Sequence, residues 1–167
     1  MRRLILIVGV CAGLLVAGCG GSDSSSSEST AASGETTAAE SAGGEKTKPK
    51  VTVPKGAPPK KLEIEEIEAG SGAEAKSGDE VTVQYVGVGF KTGEEFDSSW
   101  SRNEPFSFTL GAGEVIPGWD QGVEGMKVGG RRELIIPPEL AYGEAGAPPA
   151  IGPNETLVFV IDLLEVG

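Results

Sequence analysis

Histidine is absent from this 167-residue sequence, and cysteine occurs only twice, at Cys11 and Cys19. Histidine is the side chain that most often acts as a general base or a metal ligand near neutral pH. Its absence excludes the Ser-His-Asp and Cys-His catalytic mechanisms. Beyond Cys19 the sequence also lacks the residue that forms disulfides, zinc-thiolate sites and cysteine nucleophiles. We therefore expect a function that needs no metal and no cofactor.

Basic residues are scarce in the C-terminal two thirds of the chain. From Pro59 onward, 20 Asp and Glu stand against 8 Lys and Arg. Such an excess leaves no basic patch, so nucleic acid is not expected as a partner. The acidity is explained by solubility. A preference for basic polypeptide segments is the alternative that the charge leaves open.

Apolar residues larger than alanine are missing from residues 20–50. Such a segment cannot bury enough surface to offset the entropy lost on ordering. We predict a flexible tether over residues 19–59, which ends in a stiffer, proline-containing stretch from Lys48 to Pro59. Residues 60–167 then form the single globular domain.

The N-terminal residues have the features of a signal peptide. Arg2 and Arg3 precede the apolar run Leu4–Val16, which is shorter than the ~20 residues that span a bilayer. Val16–Cys19 resembles a bacterial lipobox, in which the cysteine thiol receives a lipid. We expect a signal peptide over residues 1–18, a lipid on Cys19 and an extracytoplasmic domain anchored to the bacterial cell membrane. An uncleaved signal anchor is the alternative.

Alternating apolar and polar residues predict several short strands in the domain. A single helix is predicted over Pro117–Met126, because Pro117 suits a helix start and Gly129-Gly130 a stop. This pattern indicates an α+β fold in which a bent antiparallel sheet packs on one short helix. The predicted strands are Lys61–Ile67, Glu80–Val86, Pro105–Leu110, Arg131–Ile136 and Thr156–Val166.

Five short phrases in this domain resemble one known family. They are Gly93–Ser99, Pro105–Phe108, Gly113–Trp119, Ala141–Gly143 and Thr156–Phe159. In order and spacing they resemble the FK506-binding protein (FKBP-type) peptidyl-prolyl cis-trans isomerases. The resemblance implies a curved antiparallel β-sheet wrapped around one short α-helix, and an isomerase of Xaa-Pro bonds. Together with the signal peptide it leads us to expect an enzyme that assists the folding of exported proteins. It also implies proline-containing polypeptide clients, macrolides as candidate ligands and a monomer.

The resemblance also implies the site. In it, Trp119 forms the floor of an apolar pocket, and the Ile116 N–H and the Tyr142 hydroxyl face the carbonyls of a ligand. The implied catalytic residues are Tyr85, Phe96, Asp97, Trp119, Tyr142 and Phe159. The implied substrate-binding residues are Phe106, Val115, Ile116 and Ile151.

Some placements stay open on the sequence alone. Plain core packing is the better interpretation of the pattern for Phe106, Phe108, Ile161 and Leu163. Trp100 either extends the pocket mouth or packs on a neighbouring loop. A solvated Asp97 is the simpler interpretation of the residue itself. An inward Asp97 requires a hydroxyl or guanidinium nearby, because an unpartnered buried carboxylate is costly.

The sequence departs from the family pattern in the loop after Tyr142. Familiar members carry a histidine where this chain has Ala147, and Ile151 is expected to close one rim of the pocket. A binding module that holds proline segments without turnover is the main alternative function. A general chaperone is less consistent with the sequence, since no large apolar insertion is present.

Overall fold

Six antiparallel strands form one sheet in the computed structural model, which describes residues 46–167. The elements are β1 (Glu63–Glu68), β2 (Glu80–Gly89), β3 (Glu95–Ser98), α1 (Ser99–Arg102), β4 (Phe106–Thr109), α2 (Pro117–Val123), β5 (Arg131–Ile136), a 3₁₀ helix (Pro138–Leu140) and β6 (Leu157–Val166). The strand order is β1-β5-β6-β2-β3, and β4 also pairs with β2. The predicted α+β class, a curved antiparallel sheet wrapped around a short helix, is confirmed.

Strand β6 lies at the centre of the sheet. Its side chains join apolar clusters on both faces of the sheet. Leu157, Phe159 and Ile161 point to the inner face, where they join the main core. Val158 belongs to a second, smaller apolar cluster on the outer face. Because successive side chains of a strand point to opposite faces, β6 is buried on both sides, which its nearly continuous apolar sequence allows.

Helix α2 packs directly on β5 because two of its residues have no side chain. A Cβ atom at Gly118 would lie 2.4 Å from Ile136 Cγ2, and one at Gly122 would lie 2.4 Å from Leu134 Cδ1. The helix starts at Pro117 as predicted. It ends at Val123 rather than at Met126, because the chain then turns through Gly125 in the left-handed region (φ +77°). Close contact with β5 fixes the position of the residues at the start of α2.

Three short elements were not predicted: β3, α1 and the 3₁₀ helix. Strand β3 pairs with Val86–Val88 of β2, and β4 pairs with the earlier half of the same strand. Since β6 occupies the other edge of β2, β3 and β4 lie one after the other along one edge. Helix α1 is the excursion between them.

The segment Lys46–Val53 lies on the outer face of the sheet, although we expected a tether up to residue 59. The Lys46 ammonium is 3.2 Å from the Asp162 carboxylate on β6, and Lys48 is 2.8 Å from Glu95 on β3. Val51 and Val53 pack against the outer apolar cluster. Ion pairs and apolar contacts therefore hold this part of the expected tether against the domain.

The predicted signal peptide (residues 1–18) and the predicted lipid site Cys19 lie outside the described residues. The same holds for the tether as far as residue 45. Within residues 46–167, no helix is both long enough and apolar enough to cross a membrane.

Candidate active site

An open cavity of about 490 Å³ lies between the inner face of the sheet and the start of α2. Strands β2, β3, β4 and β6 contribute side chains to it, as do the loop before α2 and the loop after the 3₁₀ helix. Its lining residues are Tyr85, Phe96, Asp97, Phe106, Glu114, Val115, Ile116, Pro117, Trp119, Tyr142 and Phe159. The structure thus brings together every residue predicted for the site except Ile151.

The indole of Trp119 is the centre of an aromatic cluster at the base of the cavity. Only 4 % of this residue is exposed. Its ring centroid lies 5.0 Å from that of Tyr85 and 5.2 Å from that of Phe159, both in edge-to-face geometry. Such geometry is the preferred one for aromatic pairs. The base of the cavity is therefore apolar and tightly packed.

Two aromatic walls of the cavity meet over a glycine of β2. A Cβ atom at Gly87 would lie 2.7 Å from both Phe159 and Phe96. These two rings contact each other edge-to-face, with centroids 5.5 Å apart. A larger residue at position 87 would force the rings apart, so Gly87 is required for the shape of this wall.

One polar network interrupts the apolar lining. The Asp97 carboxylate accepts a hydrogen bond from the Tyr85 hydroxyl at 2.5 Å and another from the Arg102 guanidinium. Arg102 Nη2 also donates to the Tyr85 hydroxyl oxygen at 2.9 Å. Asp97 therefore lines the cavity with both a hydroxyl and a guanidinium beside it, and its side chain remains 40 % exposed.

The network shifts the pKa values of its members in a consistent way. Burial by itself would raise the pKa of Asp97, but the hydrogen bonds from Tyr85 and Arg102 outweigh it and lower that pKa. Burial, followed by the hydrogen bond to Asp97, raises the pKa of the Tyr85 hydroxyl. Asp97 is thus held as a carboxylate and Tyr85 as a neutral phenol.

The rim of the cavity carries hydrogen-bond donors and exposed aromatic surface. The Ile116 carbonyl accepts the first hydrogen bond of α2, from Trp119 N at 2.9 Å, and the Ile116 N–H has no partner among residues 46–167. Tyr142 is 41 % exposed and Phe106 38 %. These groups are accessible to a ligand that enters from solvent, and Phe106 is not the core residue that its pattern alone suggests.

Ile151 is not part of the cavity, contrary to our prediction. It is only 4 % exposed and belongs to the main core cluster. Ala147 and Ile151 exchange two backbone hydrogen bonds of 2.9 and 3.0 Å. This pairing closes the loop on itself, so Ile151 packs inward rather than forming a rim.

Sequence reasoning missed Arg102, Glu114 and Pro117. Arg102 is one of the few basic residues in an acidic domain and follows Asp97 by five positions, which is a weak signal that could have found it. Trp100, by contrast, packs with Val51 and Val53 on the outer face, so it does not extend the pocket mouth. Among the described residues no group of three or more His, Cys, Asp and Glu is arranged to hold a metal ion.

Comparison with known families gives a clear match. Residues 72–164 match the family described as FKBP-type peptidyl-prolyl cis-trans isomerase. An FK506-binding protein of Streptomyces anulatus is 61% identical over 120 residues, which are 71% of this chain and 97% of that protein. A probable FK506-binding protein of Corynebacterium glutamicum is 53% identical over 118 residues, or 71% and 98% of the two chains.

Solved structures show the same architecture. FkpA from Escherichia coli superposes with a TM-score of 0.58 at 50% identity, covering 63% of this chain and 47% of FkpA. AtFKBP13 superposes with a TM-score of 0.59 at 41% identity, covering 64% of this chain and 93% of AtFKBP13. In both cases the share of this chain that is covered corresponds in size to the domain that carries the cavity.

Proposed function

Because the chain belongs to the FKBP-type peptidyl-prolyl cis-trans isomerase family, we propose that it isomerises Xaa-Pro bonds of exported proteins while a lipid on Cys19 anchors it to the outer side of the cytoplasmic membrane. The isomerase activity rests on the family and on the aromatic cavity. The anchor and the exported clients rest on the apolar run Leu4–Val16 and on the Val16–Cys19 phrase.

The cavity suits a reaction that makes no covalent bond. Rotation about an Xaa-Pro amide crosses a barrier of roughly 18–20 kcal/mol, because twisting removes amide resonance. The twisted amide is less dipolar than the planar one. An apolar cavity with Trp119 at its base therefore disfavours the planar ground state more than the transition state. Each tenfold acceleration needs only about 1.4 kcal/mol of such differential binding.

Donors at the rim orient the client in this mechanism. The Ile116 N–H and the Tyr142 hydroxyl donate to carbonyls on either side of the proline and hold the client backbone in a turn. The proline ring then lies on the Trp119 indole, between the walls formed by Phe96 and Phe159. No proton is transferred, which agrees with a chain that has no histidine.

Asp97, Tyr85 and Arg102 form a hydrogen-bonded polar wall of the cavity. Arg102 neutralises the carboxylate, so the wall presents aligned dipoles rather than a free charge to the twisting amide. In this role Arg102 is a positioning residue, because it acts through Asp97 and Tyr85.

The network can be tested through the ionisation of Tyr85 alone. We expect Asp97→Asn to lower the pKa of Tyr85, because an accepting carboxylate is removed, and Arg102→Met to raise it further, because a donor to the phenolate is lost. Shifts of about one unit or more are typical for such partners. In a Tyr142→Phe background Tyr85 is the only tyrosine, so absorbance of the tyrosinate during an alkaline titration measures it directly. Equal or same-sign shifts for the two substitutions are incompatible with this network.

The anchor is tested by lipid labelling of the full chain in a bacterial host. We expect incorporation of a radioactive lipid precursor by the native chain and its complete loss in Cys19→Ala. Cys11→Ala is the matched control, since it removes the only other cysteine and leaves the label unchanged. The lipidated domain is also expected to be digested by protease added outside wall-less cells.

Two results would contradict this part of the proposal. Lipid label that persists in Cys19→Ala excludes Cys19 as the attachment site. If neither the native chain nor Cys19→Ala is labelled, and both still sediment with membranes, the N-terminal segment is an uncleaved signal anchor instead.

A further inference from the structure

A second depression of about 490 Å³ adjoins the active-site cavity, and Phe96 lines both. Its residues come from the hairpin between β2 and β3, from the end of the loop that precedes β6 and from the start of β3. They are Gly89, Thr92, Glu94, Glu95, Phe96, Pro149, Ala150, Gly152 and Glu155. We name this depression the Phe96 groove. Because Phe96 lines both, a client bound in the cavity could extend into the groove.

The Phe96 groove is acidic. Three glutamates are among its lining residues, and no Lys or Arg is. Glu95 is already paired with Lys48, whose ammonium lies 2.8 Å away. Glu94 and Glu155 take part in no ion pair within residues 46–167. The groove therefore offers two carboxylates that no cation of the described domain neutralises.

The Glu155 carboxylate is held in a fixed place. One of its oxygens accepts a hydrogen bond from the Gly152 N–H at 2.9 Å. The other oxygen lies over bare backbone, since a Cβ atom at Gly89 would be only 2.5 Å from it and 2.8 Å from Thr92 Oγ1. A carboxylate ordered in this way loses little entropy when it binds a cation. It is better placed for recognition than a freely rotating surface glutamate.

The groove combines this charge with apolar surface. Pro149, Ala150 and Phe96 are among its lining residues. Lys and Arg side chains bury an aliphatic stem along apolar surface and keep the charged end free. An extended chain advances about 3.3–3.6 Å per residue, so a residue two or three positions from the proline reaches past the Phe96 ring. The geometry and the charge fit the same kind of side chain.

We infer that the Phe96 groove binds a Lys or Arg side chain of the client, two or three residues from the isomerised proline, and so makes the enzyme selective for basic proline segments. This inference rests on the proposed function, since it assigns a substrate class to the same site. It gives a local role to part of an acidity that solubility alone also explains.

The test uses the full chain and three peptides that share one Xaa-Pro core. The peptides differ only at one position, two or three residues from the proline, which is Lys, Ala or Glu. We expect kcat/KM for the Lys peptide to exceed that for the Glu peptide by about fivefold or more at low ionic strength, mainly through KM. This Lys-to-Glu ratio should fall below about twofold in 0.5 M salt, because salt screens exposed charges. It should also fall below about twofold in Glu94→Gln/Glu155→Gln at low ionic strength. Glutamine at 155 keeps an oxygen for the Gly152 N–H.

The control variant is Glu63→Gln/Glu65→Gln. It removes the same two charges from another acidic depression, at the β1–β5 edge, which shares no residue with the cavity. We expect it to keep the native preference. Provided that the Ala peptide is isomerised, either of two results overturns the groove assignment. One is a native Lys-to-Glu ratio of kcat/KM near one, and the other is a ratio that Glu94→Gln/Glu155→Gln leaves unchanged. If the Ala peptide is not isomerised, the activity itself is contradicted, and calorimetric binding of the same three peptides then decides the groove by the same ratio.

Discussion

Replacement of Trp119 by alanine lowers the free energy of unfolding by about 3–5 kcal/mol, the usual cost of removing a buried tryptophan. The same substitution lowers kcat/KM by about tenfold to a hundredfold, equivalent to about 1.4–2.7 kcal/mol of transition-state stabilisation. The indole is nearly buried and contacts Tyr85, Phe108 and Phe159 with ring centroids 5.0–5.7 Å apart. Its loss leaves a void under the cavity, and Tyr85 and Phe159 lose the surface on which they pack.

The measurement is denaturant unfolding combined with the peptide relaxation assay. Trp119→Phe is the first control, because a smaller ring keeps part of the packing and should lie between native and alanine in both properties. Trp100→Phe is the second, since that tryptophan packs on the outer face with Val51 and Val53. We expect it to leave kcat/KM unchanged. An alanine variant with native activity would show that Trp119 is not the floor of the reacting site.

Replacement of Asp162 by alanine is expected to cost about 3–5 kcal/mol, because it breaks a buried ion pair by removing one partner. Asp162 is fully buried, and its carboxylate accepts hydrogen bonds of 2.7 and 2.9 Å from Arg131. The Lys46 ammonium lies 3.2 Å from the same carboxylate. Without the Asp162 carboxylate, the Lys46 ammonium and the Arg131 guanidinium face each other in a site that excludes most water.

This cost has a signature that distinguishes it from a general loss of packing. We expect residues 46–53 to detach first, so that tryptic cleavage after Lys46 and Lys50 accelerates before the domain unfolds; Lys48 precedes Pro49 and is not a cleavage site. A double variant, Asp162→Leu/Arg131→Met, replaces the pair with apolar groups and should recover most of the stability. If Asp162→Ala unfolds at the native denaturant concentration, the pair contributes nothing to the fold.

The regular elements were predictable because their residues alternate or turn in recognisable ways. Strand β5 and the start of α2 lie at the predicted residues, whereas β2 ends three residues later and β6 begins one residue later than predicted. Strand β3 and helix α1 contain one large apolar residue each, Phe96 and Trp100, so no periodicity appears in them. Strand β4 is equally short but has two apolar residues at alternate positions. The Ser98 side chain accepts a hydrogen bond from Ser101 N and so caps α1. That signal is too common in loops to identify a helix by itself.

The site was predicted more completely than the contacts around it. The aromatic phrases carry the resemblance, and they converge on one cavity because each lies on a different strand or loop of the sheet. Arg102 was missed because a single arginine carries no pattern. Ile151 was placed wrongly because its orientation depends on the Ala147–Ile151 backbone pairing. The docking of Lys46 was missed because its partners, Glu68 and Asp162, are brought together only by the folded sheet.

The outer-face segment also determines how the domain bears a mechanical load. A pull on the chain upstream of Lys46 acts first on its ion pairs with Asp162 and Glu68, and on the hydrogen bond from Arg131 to the Thr47 carbonyl. These attachments lie on β1, β5 and β6, on the sheet face opposite to the cavity. A load applied through this segment is thus spread over several strands on the face opposite to the cavity, so the aromatic site keeps its shape.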